Sequence, residues 1–410
     1  METELIAITR EVDDGNRDKL EDSDKKKLEI LSGKMAALCY MPQHNYGDIL
    51  EDDSKAFNRF VTVTDMGHHD INVHAKVTIV LSRISKMLAM VLNSLGEYST
   101  NEKSGRYTEI SGEREIEKEK YDKWKSKFEG RIHKLQDVVG EKNKLTDKEI
   151  SKLAMENARY VTDIFSHTTT MGYTTSIKQW NYIYDWCGRM IDRLCLEGGR
   201  FNEKLVYELD WLKEEIKEKN LYIPIMREFK GREFDAFAVQ ADNMWQDECI
   251  MPHYGMSYLD VYKASFVCYA QEERHRTLNY NIVFDGECKE FYVPEMIKGT
   301  ELEKEWLADM VELAENDVFP QGTLVKVIES GNIQWFLLKC TERLCGRAQL
   351  ETCKHTIETL KKLDKYGVFG ERTRKELDKY IKDGKVRSKC SILAGCKDGC
   401  KMRDIESRLY

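Results

Sequence analysis

The sequence predicts a helix-rich α+β fold, and three observations carry that prediction. Only five prolines occur in 410 residues, which favours long helices over a turn-rich β-sandwich. Long segments repeat apolar residues at helical spacing. Between them lie short segments dense in β-branched residues, the signature of a few small antiparallel strands. A composition of 41% apolar and 33% charged residues supports two ordinary globular cores and excludes disorder as the main state.

Element by element, residues 10–34 are rich in Asp, Glu and Lys and read as a frayed or helical lead-in. Met35-Ala-Ala-Leu-Cys-Tyr-Met41 opens the first globular part. Phe60–Thr64 and Val73–Leu81 read as strands, and Ile84–Leu95 as a helix. Within 109–130, Ile116, Tyr121, Trp124 and Phe128 mark one face of a charged amphipathic helix. Too few heptads are sustained there for a coiled coil. Asp147–Arg193 reads as helical, with Thr146 or Asp147 as N-cap and Gly198-Gly199 as the stop, and 202–220 as one more helix. A domain boundary is expected near 215–222. Beyond it, Tyr258–Gln271 has helical spacing, and Ile282–Phe284 and Phe291–Val293 are short strand candidates. Glu301–Glu315 reads as a helix behind Thr300, Thr323–Ile328 as a strand, and Ile333–Leu350 as a long helix. The division is then 1–32 as a charged lead-in, 33–218 and 219–385 as two globular modules, and 386–410 as a basic, Cys-containing tail.

Sixty-four Lys plus Arg against seventy-two Asp plus Glu leave a net charge of −8, so attraction to nucleic acid or an anionic membrane is not expected and any anion site must be local. The N-terminus lacks a basic segment followed by an apolar core, and no run of 18 uncharged apolar residues occurs, so a cytoplasmic protein is expected. Twelve scattered cysteines then read as reduced thiols. Phosphate-loop, dinucleotide-binding, zinc-protease and nucleophile-elbow motifs are absent. His68, His69, Asp70 and His74 could ligate a metal but lack a fourth ligand at a fixed offset. Cys390, Cys396 and Cys400 are spaced unlike zinc knuckles and read as structural thiols. No metal site is expected.

Two polar clusters carry more. Asn101-Glu102-Lys103-Ser104-Gly105-Arg106-Tyr107 places a carboxylate, a hydroxyl, a flexible Gly and a guanidinium together. Such a loop can hold a nucleotide phosphate, although a solvated turn is the commoner outcome. Gln271-Glu-Glu-Arg274-His275-Arg276-Thr277 sets three cationic groups side by side, which repel one another unless an anion or an electron-rich ring sits among them. The competing reading is a charged helix terminus.

These residues resemble the flavin-dependent thymidylate synthase family, whose signature is R-H-R-x-x-S-x-N-E-x-S-x-R-Y. Ser99-Thr-Asn101-Glu102-Lys-Ser104-Gly-Arg106-Tyr107 is similar to its second part, but Ser94-Leu95-Gly96 stands where R-H-R belongs. Arg274-His275-Arg276-Thr277 supplies that missing start, and there Ile282, Phe284 and Gly286 replace the Glu, Ser and Arg. Each half is broken alone. Flanking likenesses extend over most of 33–353: Gly67-His68 with His74, Ala158-Arg159, Pro320, Gly322-Thr323, Asn332, Arg343 and Ala348-Gln349-Leu350-Glu351. Gln334 departs from the family's N-x-R, and Cys187 stands for the first module's Arg.

The resemblance implies a tandem duplication in which the modules pool opposite walls of one site, two chains forming a homodimer that mimics the family's tetramer. It implies dUMP binding by Glu102, Ser104, Gly105, Arg106, Arg159, Gln271 and Arg274. It also implies FAD binding by His68, Arg274, His275, Arg276 and Asn332, with NADPH and 5,10-methylenetetrahydrofolate as cosubstrates. Methylation at C5 needs electron density on the uracil ring, and Arg343 is the candidate cation that stabilises the ionised pyrimidine; a guanidinium cannot serve as proton acceptor. No Cys is assigned as a nucleophile. The departures leave open a flavin-dependent pyrimidine-nucleotide hydroxymethylase, or an inactive paralogue that only binds nucleotide.

Overall fold

The computed structural model describes residues 18–38, 52–65, 69–104, 108–136, 145–226, 257–367, 369, 371–392 and 404–409. In chain order the elements are α1 Asp22–Ala37, α2 Asp53–Asp65, β1 Lys76–Ile84, α3 Lys86–Ser94, β2 Ser99–Glu102, α4 Glu115–Gln136, α5 Asp147–Ala158 and β3 Thr169–Ser176. There follow α6 Ile177–Glu197, α7 Arg200–Glu218, β4 Ser257–Ser265, α8 Phe266–Glu272, β5 Asn279–Val283, α9 Glu301–Glu315, β6 Leu324–Asn332, α10 Ile333–Arg343 and α11 Leu350–Tyr366. The chain closes with α12 Glu371–Leu377, a hairpin of β7 Ile381–Lys382 and β8 Lys385–Val386, and α13 Lys389–Ile392. The fold is helix-rich α+β with small sheets ordered β1-β3-β2, β4-β6-β5 and β7-β8; the second and third are antiparallel. Among the described residues, no helix is long and apolar enough to cross a membrane.

Two compact units divide the chain: Met1–Leu81, Leu95–Asn101 and Gly172–Phe234 form the first, and Ser82–Ser94, Glu102–Met171 and Asp235–Tyr410 the second. They cut across the division at 218/219, which follows sequence likeness rather than compactness.

In the first unit, α1 and α2 pack at unusually close range because Gly33 has no side chain. A Cβ placed there would lie 1.9 Å from the Ala56 carbonyl oxygen. Phe60, Trp180, Ile183, Leu209 and Leu212 are fully buried, and Tyr173 sits between Tyr98 and Trp180 at ring-centroid distances of 5.3 and 5.5 Å. Asn181 ties the end of the unit down by exchanging two hydrogen bonds with the Ile223 backbone, at 2.7 and 2.8 Å.

The second unit's core forms where α4, α5 and α9 meet. Tyr121, Trp124, Phe128 and Ile132 lie on one face of α4 and are wholly buried, and Trp124 packs edge-on against Trp306 of α9 at 4.8 Å. Asp309 crosses the same seam, accepting from Trp124 Nε1 at 2.8 Å and from Lys120 at 2.7 Å. The predicted amphipathic face of this helix is thus found, and its apolar stripe is core. Thr146 closes a full capping box with Glu149 at the start of α5.

Several expectations are corrected. Phe60–Thr64 lies in α2, because Ala56, Phe60, Val63 and Thr64 all turn inward at helical spacing and burial overrides β-branched propensity. The helix expected over 147–193 is interrupted by β3, whose Thr-rich sequence alternates between buried and half-buried positions. Tyr258–Ser265 is a strand: Tyr258, Asp260, Tyr262 and Ala264 face inward while Leu259 and Val261 face out, a period of two that mimics a helical stripe over a short window. The helix begun at Ile333 ends at Arg343, and a new one starts at Leu350. Phe291–Val293 makes only an isolated bridge from Phe291 to Thr323. Thr300 precedes α9 but makes no side-chain cap; its hydroxyl donates to the Ile297 carbonyl at 2.6 Å. The tail is integrated in part: Val386 and Ile405 are buried, and Arg408 donates to the Cys345 carbonyl at 3.2 Å.

Candidate functional site

Apart from His69, Asp70 and His74, the described candidate residues belong to the second unit, and α8 is the element that gathers them. Ser265 starts this short helix by accepting from Cys268 N at 3.0 Å, and is itself gripped by Glu351, whose Oε1 accepts from Ser265 N at 2.8 Å and Oε2 from Ser265 Oγ at 2.6 Å. After Glu272 the chain turns through His275 N to Glu272 O at 2.9 Å and Leu278 N to His275 O at 2.8 Å. That turn buries His275 and leaves Arg274 and Arg276 exposed on either side of it.

Arg343, the last residue of α10, is held from two directions. Its Nε donates to His275 Nε2 at 2.6 Å and its Nη2 to the Gln271 carbonyl at 3.1 Å; neither bond uses Nη1. His275 must therefore be neutral with its proton on Nδ1, which faces Glu342 Oε2 at 3.6 Å. Burial, together with the neighbouring Arg343 and Lys339 cations, pushes its pKa down to about 2. With Nε2 given to Arg343 and Nδ1 turned to Glu342, His275 acts as a support for the guanidinium.

A second chain of bonds joins the modules. Gln349 Oε1 accepts from Arg159 Nη2 at 3.1 Å and also from Gln271 Nε2. Its Nε2 donates to the Tyr160 hydroxyl, which in turn donates to Glu351 Oε2 at 2.8 Å. Arg159 and Gln271, 112 positions apart in sequence, thus share one acceptor atom.

A third group joins the two polar clusters directly. Glu102 is nearly buried; its Oε1 accepts from Lys86 Nζ at 2.6 Å, and its Oε2 lies 3.8 Å from Arg274 Nη1. Lys103 N donates to Thr170 O at 2.8 Å, fixing the backbone beside Glu102. Glu273 is buried next to this group, and desolvation, with Glu102 nearby, drives its pKa well above the usual range against the pull of Lys86 and Arg274.

Beneath α8 lies an element that the sequence reading missed. Lys339 Nζ, wholly buried, pairs with Glu272 Oε2 at 2.6 Å and Glu329 Oε2 at 2.8 Å. Tyr258 and Tyr262 donate their hydroxyls to Glu329 at 2.5 and 2.8 Å. The available signal was one Lys inside the apolar run Trp335-Phe-Leu-Leu-Lys339-Cys340. Lys86, Gln349 and Glu273 were likewise not assigned roles.

Of the remaining candidates, Asn332 caps α10, accepting from Gln334 N at 2.8 Å. Ser104 accepts at its carbonyl from Thr108 N at 3.0 Å and Thr108 Oγ1 at 2.7 Å. His68, Gly105, Arg106, Cys396 and Cys400 lie outside the described residues. His74 is exposed at the end of a short 3-10 turn, and Cys390 is half-buried.

This arrangement presents exposed guanidiniums over an internally bonded foundation, and can hold an anionic ligand. No protein-family model and no curated protein matches the chain.

Proposed function

We propose that this chain is a divergent flavin-dependent thymidylate synthase that reductively methylates dUMP, its site pooled from both sequence modules. The observation that carries the reading is the approach of Glu102 to Arg274, 172 positions apart, at 3.8 Å: each is the retained part of a signature broken in its own module. The shared Gln349 acceptor of Arg159 and Gln271 supports the same pooling.

The donor set fits phosphate-bearing ligands. Arg274 and Arg276 are exposed cations in a chain of net charge −8, and Arg274 lies beside Glu102 at 3.8 Å. Arg274, His275, Arg276 and Asn332, with His68, would hold FAD; Glu102, Ser104, Arg159, Gln271 and Arg274, with Gly105 and Arg106, would hold dUMP. The bound flavin supplies hydride, replenished from NADPH, while methylenetetrahydrofolate supplies the carbon. The protein's part is electrostatic. Arg343, made rigid by His275 and the Gln271 carbonyl, offers Nη1 as a fixed positive group that stabilises an ionised pyrimidine. Rigid placement matters because a cation that need not reorganise during reaction is worth far more than one in water. A homodimer forming a pseudo-tetramer is the assembly this reading entails.

Anaerobic incubation with dUMP, methylenetetrahydrofolate, FAD and NADPH, followed by mass identification of the nucleotide, tests the proposal. Thymidylate supports it. A hydroxymethylated nucleotide points to the hydroxymethylase, and unchanged dUMP with a protein that takes up no flavin rejects the enzyme reading.

A further inference from the structure

Behind the candidate site, three unlike ligand atoms converge. Glu351 and His355 stand one helical turn apart on α11, and Cys268 faces them from α8. The Cys268 thiol, a Glu351 carboxylate oxygen and a His355 ring nitrogen all lie within 4.8 Å of one another. Cys268 and Glu351 are buried, and the His355 side chain is 16% exposed with Nδ1 itself sealed from solvent.

His355 Nδ1 has no hydrogen-bond partner. Its nearest acidic neighbour, Glu358 Oε2, stands off at 3.8 Å, while the Tyr262 ring stacks on the imidazole at 4.6 Å and 22°, fixing its plane. A buried ring nitrogen without a partner, held in a fixed plane beside a thiol and a carboxylate, is costly unless something binds it. Glu351 Oε1 accepts only from Ser265 N, leaving a lone pair, while Oε2 is anchored by Ser265 Oγ and Tyr160. The Thr352 hydroxyl, 3.5 Å from Cys268 Sγ, offers a fourth ligand atom.

We propose that Cys268, Glu351 and His355 form a structural zinc site. Sulfur, oxygen and nitrogen together suit Zn²⁺ and exclude the all-oxygen preference of Mg²⁺ and Ca²⁺. Zinc–ligand bonds of about 2.0–2.3 Å hold ligand atoms roughly 3.3–3.8 Å apart. The three atoms, already within 4.8 Å of one another, draw together on metal binding. Thiolate, carboxylate and neutral imidazole balance the charge of the ion, so a buried site ends neutral. Metal entry displaces protons, because the thiol must ligate as thiolate. Ser265 and Tyr160 then serve as the outer partners that orient the carboxylate.

The test uses the full chain, stripped of metal by chelation and titrated with Co²⁺ and then Zn²⁺. One equivalent of Co²⁺ should produce a thiolate-to-cobalt charge-transfer band that Zn²⁺ displaces, and Zn²⁺ should raise the melting temperature. C268S should abolish the band, H355Q should weaken binding at least tenfold, and C390S/C396S/C400S should keep it. The absence of a band in the native chain overturns the proposal, as does a band that persists in C268S or is lost with the tail cysteines. Should C268S fold poorly, unchanged cobalt affinity in H355Q overturns it equally.

Discussion

Lys339→Met gives the sharpest test of how α8 is supported. The ammonium lies between Glu272 and Glu329 at 2.6 and 2.8 Å, and the three side chains are at most 1% exposed. Removing it leaves two carboxylates in a dry interior. Glu329 keeps the hydroxyls of Tyr258 and Tyr262, but Glu272 retains only Tyr280 OH at 3.5 Å, and its Oε1 has no hydrogen-bond partner. Breaking a buried ion pair by deleting one partner costs about 3–5 kcal/mol. For a unit of this size that lowers the melting temperature by roughly 6–20 °C. The sign with pH follows from the carboxylates. Burial already raises the Glu272 pKa, and losing Lys339 raises it further. A carboxyl whose folded pKa lies above its unfolded value contributes stability below about pH 4.3 that is lost as pH rises through the folded pKa. The deficit of the variant should therefore be larger at about pH 8 than at about pH 5. Urea titrations of native and K339M chains at both pH values measure it, and K339M/E272Q/E329Q should recover most of the loss. A deficit under about 1 kcal/mol, or one independent of pH, would refute the view that these groups are held as charges.

Arg343→Ala should lower thymidylate-forming turnover at least roughly tenfold, about 1.4 kcal/mol of transition-state stabilisation, and near-native turnover would remove its role. His275, its folded pKa pressed down to about 2, contributes stability that is present above the ordinary His value of about 6.5 and drains away as pH falls below it. His275→Gln should accordingly flatten the acid limb of the stability curve between roughly pH 6.5 and 4, read by urea unfolding; an unchanged slope contradicts the neutral, buried imidazole. Gly33→Ala drives a methyl against the Ala56 carbonyl at 1.9 Å and should cost about 1–3 kcal/mol, with a native-like melting curve as the contrary result. Gly322→Ala meets Tyr160 O at 3.2 Å and Met310 Cε at 2.7 Å, and should cost a similar amount, since the carbonyl cannot retreat as the methionine can; a change within about 0.5 kcal/mol would contradict this.

What the sequence disclosed depended on whether pattern and packing agreed. Strong amphipathic stripes, such as Tyr121-Trp124-Phe128 on α4, were placed correctly because such a stripe has only one way to be buried. The same held for Glu301–Glu315 and the Gly198-Gly199 stop, where both glycines take positive φ, 64° and 98°. Short windows failed. Over nine residues a strand with both faces partly apolar, such as Ser257–Ser265, cannot be told from a helix, and the Val-Thr run of α2 looks extended until Phe60 is seen to face the core. At the candidate site, the sequence named Glu102, Gln271, Arg274, His275 and Arg343 through motif likeness. It could not name their supports. Gln349 and Lys339 act through partners that fold brings close from far along the chain, and only coordinates reveal which acceptor each one finds.

The interleaving of the two compact units constrains how this gene could be divided. A break after residue 218 would place Trp124 on one polypeptide and Trp306 on the other, and would part Glu102 and Arg159 from Arg274 and Arg343. Neither fragment would own a whole interior for the second unit, so each would have to find its mate during synthesis and dock across the indole pair before either could persist. A chain cut at that point would lose a core rather than a separable domain, and that mutual dependence ties the two stretches together.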